Sequence, residues 1–416
     1  MAPKQFWIET LGCPKNQVDS DKLVGTLLAD GYVGAAGPDV ADLVVVNTCA
    51  FVEEARQESI DTILALTDGK APGAEVVVTG CLAERYGDEL ADALPEVSAV
   101  AGFGVPVTLG RKGGGPAPSL DLLNLPRPRS SRPWAYVKVA EGCDRACGFC
   151  AIPSFRGKQR SRSITDILAE VDALEAQEIV LVAQDLAAFG RDQGQGERAI
   201  VPLVEAVAAR VAWVRLLYLY PSDLTDRLID AVLATGVPYF DLSLQHVSAP
   251  LLRKMRRWGD GERFTERLRV IRQREPAAAF RSNFIVGYPG ETETDHDQLL
   301  AFVEEAQLDW CGFFAYSPEE GTYATTLEGV VPAGLMHDRL AELRELQDHI
   351  TEAKRDELLG TTVRVLVDTP GDARSHREAP EIDGLIHVPE SLAPGTFVDV
   401  VITEAFGPDL HAVPVR

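Results

Sequence analysis

The sequence predicts an α/β chain in three parts: an N-terminal parallel-sheet domain, a central partial (β/α) barrel and a small C-terminal antiparallel β-barrel. Three observations predict it. A strand–cysteine–helix unit recurs three times in the first hundred residues, six further strand-like runs alternate with helical ones, and the last sixty residues are short alternating strands. Alternating strand and helix implies a parallel sheet covered by helices. Short strands split by Pro, Gly and Asp read as a small barrel.

In the first part the strands FWIETLGC, DLVVVNTC and AEVVVTGC end at Cys13, Cys49 and Cys81, and helical periodicity covers residues 18–29, 53–66 and 82–90. Residues 109–132, rich in Gly, Pro, Ser and Arg, read as a linker. Beyond it the runs AYVKVA, EIVLVAQD, WVRLLYLY, YFDLSLQH, FRSNFIVGYPG and WCGFFAYS alternate with helical segments, and a long charged helix near 332–358 closes the unit. Six such units make an open barrel, whose active site is expected at the C-terminal strand ends. The expected boundaries are 1–110, a linker at 111–133, the barrel at 134–356 and the β-domain at 357–416.

A chain of 416 residues is long enough for several domains, and 46% hydrophobic with 25% charged residues is a globular composition. The N-terminus MAPKQFWIETLGCPKN has no apolar signal-like core, and no apolar run approaches membrane-spanning length. The expectation is a soluble, cytoplasmic monomer without a membrane partner. A net charge of −23 repels a phosphate backbone and favours a basic partner.

Seven cysteines in a cytosolic-type chain point to metal or catalysis before disulfides. EGCDRACGFC sets Cys143, Cys147 and Cys150 in a C-x3-C-x2-C spacing on one loop after a strand. Three cysteines leave one iron of a [4Fe–4S] cluster open to a cofactor or substrate. Zinc would want four ligands, usually in two pairs, and no second pair or histidine lies nearby in sequence. Cys13, Cys49 and Cys81 are far apart in sequence, yet each ends a strand. The carboxyl ends of neighbouring parallel strands face one crevice, so these thiols can meet there. Single buried cysteines are ordinary; three at equivalent places in consecutive units are hard to attribute to packing. Cys311 stands alone and reads as a core thiol.

LGCPKN, VVVNTC, VVVTGC and EGCDRACGFCAIPSFRG resemble the radical S-adenosylmethionine methylthiotransferases over nearly the whole chain. The resemblance implies a radical S-adenosylmethionine barrel in the centre and a TRAM-like β-domain at the end. LGCPKNQVDS, LVAQDLAAFG, FRSNFIVGYPGETE and APEIDG are similar to the branch that modifies a ribosomal protein, rather than the branch that modifies tRNA. That branch adds a methylthio group to the β-carbon of an aspartate in small-subunit ribosomal protein twelve, free or within the subunit. The resemblance also implies S-adenosylmethionine, two [4Fe–4S] clusters, an electron donor and a sulfur source. Cys143, Cys147 and Cys150 would hold the cluster that binds S-adenosylmethionine, and Cys13, Cys49 and Cys81 the auxiliary cluster. A C–H bond beside a carboxylate is a poor target for acid–base chemistry, and a cofactor-derived radical is one way to break it.

Further candidates sit at strand ends. Phe149 beside Cys150 is placed to shield the cluster. Gln184 and Asp185 end one strand, Gln245 and His246 another, and Arg281 and Ser282 precede FIVGYPGE, whose Gly287 and Gly290 permit close approach of the adenosyl part. Each of these has loop capping or ordinary core polarity as its plain alternative. Lys15 and Asn16 either contact the substrate carboxylate or cap the next helix.

Charge separates protein from RNA as the substrate. Residues 357–416 hold ten acidic residues against four arginines and no lysine, a net −6. An RNA-binding module should show the opposite sign, and an acidic surface suits a basic protein. Against this, residues 253–274 hold nine basic residues against three acidic ones, and Arg156, Lys158, Arg160 and Arg162 follow the cluster loop. Such runs are usually solvated faces. The expectation is no direct tRNA substrate.

Overall fold

The computed structural model describes residues 2–107, 121–194 and 199–415. They form two compact units: Met1–Arg129 with Lys138–Arg145 and Ala151–Asp166, and Ser130–Val137 with Ala146–Cys150 and Ile167–Arg416.

The first unit opens with β1 (Gln5–Thr10), α1 (Pro14–Ala29), β2 (Val33–Gly34), β3 (Leu43–Thr48), α2 (Glu53–Gly69), β4 (Glu75–Gly80), α3 (Cys81–Ala93) and β5 (Ala99–Ala101). The sheet order is β2-β1-β3-β4-β5, every pair parallel. All six residues of β3 are buried because helices cover both faces. Val44 and Val46 join Ile63 and Leu82 on one face, while Leu43 and Val45 join Leu23 and Leu27 on the other. The strand–cysteine–helix reading holds with two adjustments. The first helix starts earlier, at Pro14, where a missing N–H costs nothing. Cys81 opens its helix rather than closing its strand.

The expected linker is only partly described, since residues 108–120 lie outside the described residues. The segment after residue 120 packs instead of hanging free. A 3-10 turn over Leu122–Asn124 buries Leu122 and Leu123, and Lys22 Nζ donates to the carbonyls of Leu123 and Leu125 at 3.1 and 2.9 Å. Leu122 and Leu123, in a segment flanked by glycines and prolines in the sequence, supply the apolar surface that pins it. The unit is completed by β7 (Ala140–Glu141), α4 (Ile152–Arg156) and β8 (Arg160–Ser161), with β7 and β8 paired antiparallel.

The second unit carries β6 (Trp134–Lys138), whose last residue belongs to the first, and then α5 (Ile164–Leu174), whose first three residues belong to the first, β9 (Glu178–Val182), α6 (Ile200–Ala208), β10 (Trp213–Leu216), α7 (Asp226–Leu233) and β11 (Tyr239–Gln245). After them come α8 (Ala249–Lys254), α9 (Gly261–Arg274), β12 (Ala279–Val286), α10 (Glu293–Ala306), β13 (Trp310–Ala315) and α11 (Ala333–Asp356). The strands run β6-β9-β10 and β11-β12-β13. Leu219 bridges the two sets: its N–H donates to Asp241 O and its carbonyl accepts from Ser243 N, both at 2.9 Å. Six strands in chain order thus make one open arc, as the alternation predicts.

β14 (Thr362–Thr369), β15 (Asp372–Arg374), β16 (Ile386–His387), β17 (Phe397–Phe406) and β18 (Asp409–Pro414) form a closed barrel. Its pairs are antiparallel except β16 with β18, which close it in parallel. Val365, Val367, Ile386, Val400, Ile402 and Leu410 fill it. Among the described residues, no helix is long and apolar enough to cross a membrane.

Candidate functional site

The order β2-β1-β3-β4-β5 puts the reversal of strand order between β1 and β3. Ligands of open parallel sheets bind in the crevice at the carboxyl ends beside such a reversal. Cys13 follows β1, Cys49 follows β3 and Cys81 follows β4, so the three thiols share that edge. The Cys13 loop closes directly on Cys49. Gly12 sits at φ +96°, and a Cβ there would lie 2.9 Å from both Cβ and Sγ of Cys49. Only glycine permits both the angle and the approach. Cys49 is fixed through Ser59, whose Oγ accepts from Cys49 N at 3.1 Å and donates to Cys49 O at 3.0 Å.

Asn16 is buried and ties the loops together. Its Nδ2 donates to the carbonyls of Leu11 and Thr48, both at 2.9 Å. These bonds brace the loops and do not cap α1, whose N-terminus has no side-chain cap, so Asn16 takes a role outside the two alternatives of substrate contact and helix cap. The charge of Lys15 acts on Cys13. Burial pushes the Cys13 thiol up, but the Lys15 ammonium, the Asn16 N–H, the Arg156 guanidinium and the Lys15 N–H together hold it below its ordinary value. Burial, then Cys13 and Cys81, push Cys49 up to about 12. Burial also raises Cys81, opposed by Arg156.

Arg156 is where sequence reasoning fell short, placing it in a run of ambiguous cations. It is buried, and its Nη2 donates to Cys81 Sγ at 3.1 Å and to Asn16 Oδ1 at 2.9 Å. Nη1 reaches Asp19 Oδ2 at 3.1 Å and Glu141 Oε2 at 3.0 Å, and the guanidinium lies 3.8 Å from the centre of the Phe103 ring. Lys138 completes the cluster by pairing with Asp19 and with Glu141. Arg162, from the same run, holds Asn124 Oδ1 at 3.0 Å and Lys138 O at 3.1 Å, while Lys158 and Arg160 are exposed.

The C-x3-C-x2-C loop runs from β7 to α4; Cys143 belongs to the first unit, Cys147 and Cys150 to the second. Gly148 is wedged in place. Its N–H donates to Met255 O at 2.8 Å and its carbonyl accepts from Ala324 N at 2.7 Å. A Cβ on Gly148 would stand 2.7 Å from Tyr288 Oη and 3.1 Å from Lys254 O. Arg257 Nη1 donates to Cys147 Sγ at 3.3 Å, Nη2 donates to Ser243 O, and the guanidinium lies 4.2 Å from the Tyr220 ring centre. Sequence reasoning left Arg257 in the basic run of 253–274. The helical arginines of that run are mostly consumed by acids: Arg263 pairs with Asp260, Arg267 with Asp226, Arg269 with Glu266 and Arg274 with Asp230.

Around the barrel the remaining candidates separate. Phe149 is half-buried beside Cys150, and Gln184 and Asp185 follow β9 at its C-terminal end. Gln245 ends β11 at φ +72°, next to a register shift, and Tyr218 just beyond β10 stands at φ +65°. Two non-glycine residues in the left-handed region at adjacent strand ends are strain of the kind that gathers at functional sites. The sequence gives no sign of either angle. His246 is buried; Nδ1 accepts from Ser248 N at 3.1 Å, and burial lowers its pKa to about 4, so it is a neutral core histidine. Ser282 Oγ is spent on Leu242 O at 2.8 Å. Gly287 N donates to Glu291 Oε2 at 2.6 Å, and Gly290 N to Gly329 O at 2.7 Å.

Arg281 requires a correction. Expected near the adenosyl part, it is the third of eight residues in β12, toward the end opposite the strand's C-terminus. Its Nη1 meets Asp241 Oδ1 at 3.3 Å and its Nε meets Asp383 Oδ1 at 3.4 Å. Two carboxylates at the strand's start hold the guanidinium there. Cys311 is set beside it on β13, paired in register with Ser282; it is half-buried rather than in the core, although desolvation pushes its thiol up.

The donor chemistry of the crevice can be matched to a metal group. Among the described residues no three His, Cys, Asp or Glu side chains close in around a point that one metal ion would take. The cysteines of an iron–sulfur cluster are instead spread over several irons. Three thiols close enough that Cys13 raises both others and Cys81 raises Cys49, with Lys15 and Arg156 as nearby cations, fit such a cluster, because metal ligation requires and stabilises thiolates.

Residues 5–102 match the uncharacterized protein family UPF0004, residues 137–303 the radical SAM superfamily and residues 359–415 the TRAM domain. The chain is 42% identical over 417 aligned residues to the ribosomal protein uS12 methylthiotransferase RimO of Moorella thermoacetica, covering 95% of this chain and 96% of that one. It is 41% identical to the protein of the same name from Aquifex aeolicus, covering 97% and 95%. Among solved structures, the cobalamin-dependent S-adenosylmethionine radical enzyme OxsB superposes with a TM-score of 0.50 at 10% identity, over 84% of this chain and 56% of that one, which is a likeness of fold.

Parallel-sheet domain, open barrel with its three-cysteine loop and closed β-barrel define the class: a radical S-adenosylmethionine enzyme that transfers sulfur-containing groups. The chain belongs to the family of ribosomal protein uS12 methylthiotransferases, RimO. Enzymes of this family work with two [4Fe–4S] clusters and S-adenosylmethionine.

Proposed function

We propose that this chain attaches a methylthio group to the β-carbon of an aspartate in ribosomal protein uS12, with one cluster on Cys143, Cys147 and Cys150 and the other on Cys13, Cys49 and Cys81. The observation that carries the reading is the pair of three-thiol sets. Each supplies three cysteine thiols, so each leaves a coordination position for a cofactor or a sulfur species. Bound there, the clusters supply reductive cleavage of S-adenosylmethionine and sulfur for transfer.

The chain's own residues hold and orient. Arg257 and the wedged Gly148 fix the Cys147 end of the loop. Phe149, Gln184 and Gly287 remain the candidates toward S-adenosylmethionine, on the loop and at the strand ends where barrel sites lie. Arg281 is not among them. Leu216, Phe284 and Val286 in β10 and β12 are fully buried, so the strands below these ends are dry.

A basic protein substrate suits the surface. In the C-terminal barrel and its approach, Asp368 and Glu378 are buried against Arg374 and Arg355, while Glu357, Glu381, Glu390, Asp399 and Glu404 stay exposed. Four of the five arginines of α9 are already paired with acids and Arg272 donates to Gln307 O at 2.7 Å, so the helix offers little to an RNA backbone. The test is anaerobic turnover of reduced, reconstituted enzyme with S-adenosylmethionine and sulfide, offering uS12 and tRNA separately. A methylthio mass gain on one aspartate of uS12 with RNA untouched is the expected result. A gain on a tRNA nucleoside, with uS12 unchanged, overturns the assignment.

A further inference from the structure

We propose that Arg156 sets the reduction potential of the auxiliary cluster by donating an N–H to the Cys81 sulfur. The inference rests on the reading that Cys13, Cys49 and Cys81 hold that cluster, and it adds a positioning residue outside the ligand set.

The geometry is specific. Nη2 is 3.1 Å from Cys81 Sγ, and the guanidinium is locked by Asn16 Oδ1 at 2.9 Å, Asp19 Oδ2 at 3.1 Å, Glu141 Oε2 at 3.0 Å and the Phe103 ring at 3.8 Å. An arginine held on every side cannot swing away when the sulfur's charge changes. Its fork presents one N–H to the sulfur while others serve the Asn16 amide oxygen and two carboxylates, which a lysine cannot reproduce.

Charge is balanced behind it. Asp19 and Glu141 face two cations, Arg156 and Lys138, so no carboxylate there is left uncompensated. Removing Arg156 loses the N–H to sulfur and also leaves one excess negative charge buried beside Cys81. Both changes disfavour adding an electron to the cluster. Hydrogen bonds to cluster sulfurs, net charge and solvent exposure are the levers on such potentials, and buried charges act through a low dielectric. A residue that only braced the fold would leave the potential where it is.

The test uses the full chain with Cys143, Cys147 and Cys150 changed to Ala, so that only the auxiliary cluster is loaded. Redox titration is followed by electron paramagnetic resonance. Arg156→Gln is expected to lower the reduced-to-oxidised ratio at the parent's midpoint about tenfold, a shift of about 59 mV to more negative potential for one electron. Arg156→Lys keeps the charge and falls between the two. Should Arg156→Gln load poorly, the charge-balanced Arg156→Gln/Glu141→Gln variant carries the test and shifts in the same direction. An unchanged potential in a variant with full iron content overturns the inference alone. A parent that loads no cluster overturns both it and the reading beneath it.

Discussion

Arg257 Nη1 donates to Cys147 Sγ at 3.3 Å, so a side chain from just beyond α8 braces a cysteine of the C-x3-C-x2-C loop. The same guanidinium is held by Ser243 O and the Tyr220 ring. Outer partners of metal ligands typically matter at the level of about 10–100-fold in affinity or activity. Arg257→Ala is therefore expected to lower iron retention on the loop and to cut 5′-deoxyadenosine formation by about that factor. Iron assay and product chromatography on the reconstituted protein check it; unchanged values for both contradict it.

Gly148 gives a steric prediction. Its substitution by Ala places a Cβ against Tyr288 Oη and Lys254 O, overpacking that costs on the order of 1–3 kcal/mol. Gly148→Ala should lower the unfolding midpoint and the iron content together. Adding Tyr288→Phe, which removes the nearer atom, should restore part of both.

Arg281 separates structure from cofactor binding. Removing it leaves Asp241 and Asp383 without their shared guanidinium, and breaking a buried pair from one side costs about 3–5 kcal/mol. Arg281→Gln should lose stability in urea titration while its dissociation constant for S-adenosylmethionine stays that of the wild type. A large loss of affinity at unchanged stability would return Arg281 to the cofactor.

These residues show how much was legible in the sequence. The apolar runs LVVVNT and EVVVTG can only be strands covered on both faces, and their shared terminal cysteines mark the crevice before any coordinates exist. Arg281 could have been placed by counting: third in an eight-residue strand is the wrong end for a barrel site. Arg156 and Arg257 could not. Each sits among neighbouring cations, and what sets it apart is a partner 75 or 110 positions away. The left-handed angles of Tyr218 and Gln245 are likewise products of tertiary packing. The charge of the C-terminal segment was readable as a total only. The burial of Asp368 and Glu378 moves part of it inside.

Glu378 gives the acid limb of stability. Burial raises its pKa, but Arg355 and Ser375 outweigh that and hold it at about 2, against about 4.3 when unfolded. A depressed carboxylate contributes stability that is present above the unfolded value and lost as pH falls through the folded one. Wild-type unfolding free energy should drop by on the order of 3 kcal/mol from this group between about pH 5 and pH 2. Glu378→Gln, less stable at neutral pH, should show a shallower acid slope; equal slopes contradict the assignment.

The central claim is that two separate three-cysteine sets hold two clusters, and iron counting tests it most directly. Anaerobically reconstituted wild type should bind about eight irons per chain. Cys13, Cys49 and Cys81 changed together to Ala should leave about four, and Cys143, Cys147 and Cys150 changed together should leave a different four with a distinct paramagnetic signal. About four irons in the wild type, or no loss on removing either set, would contradict it.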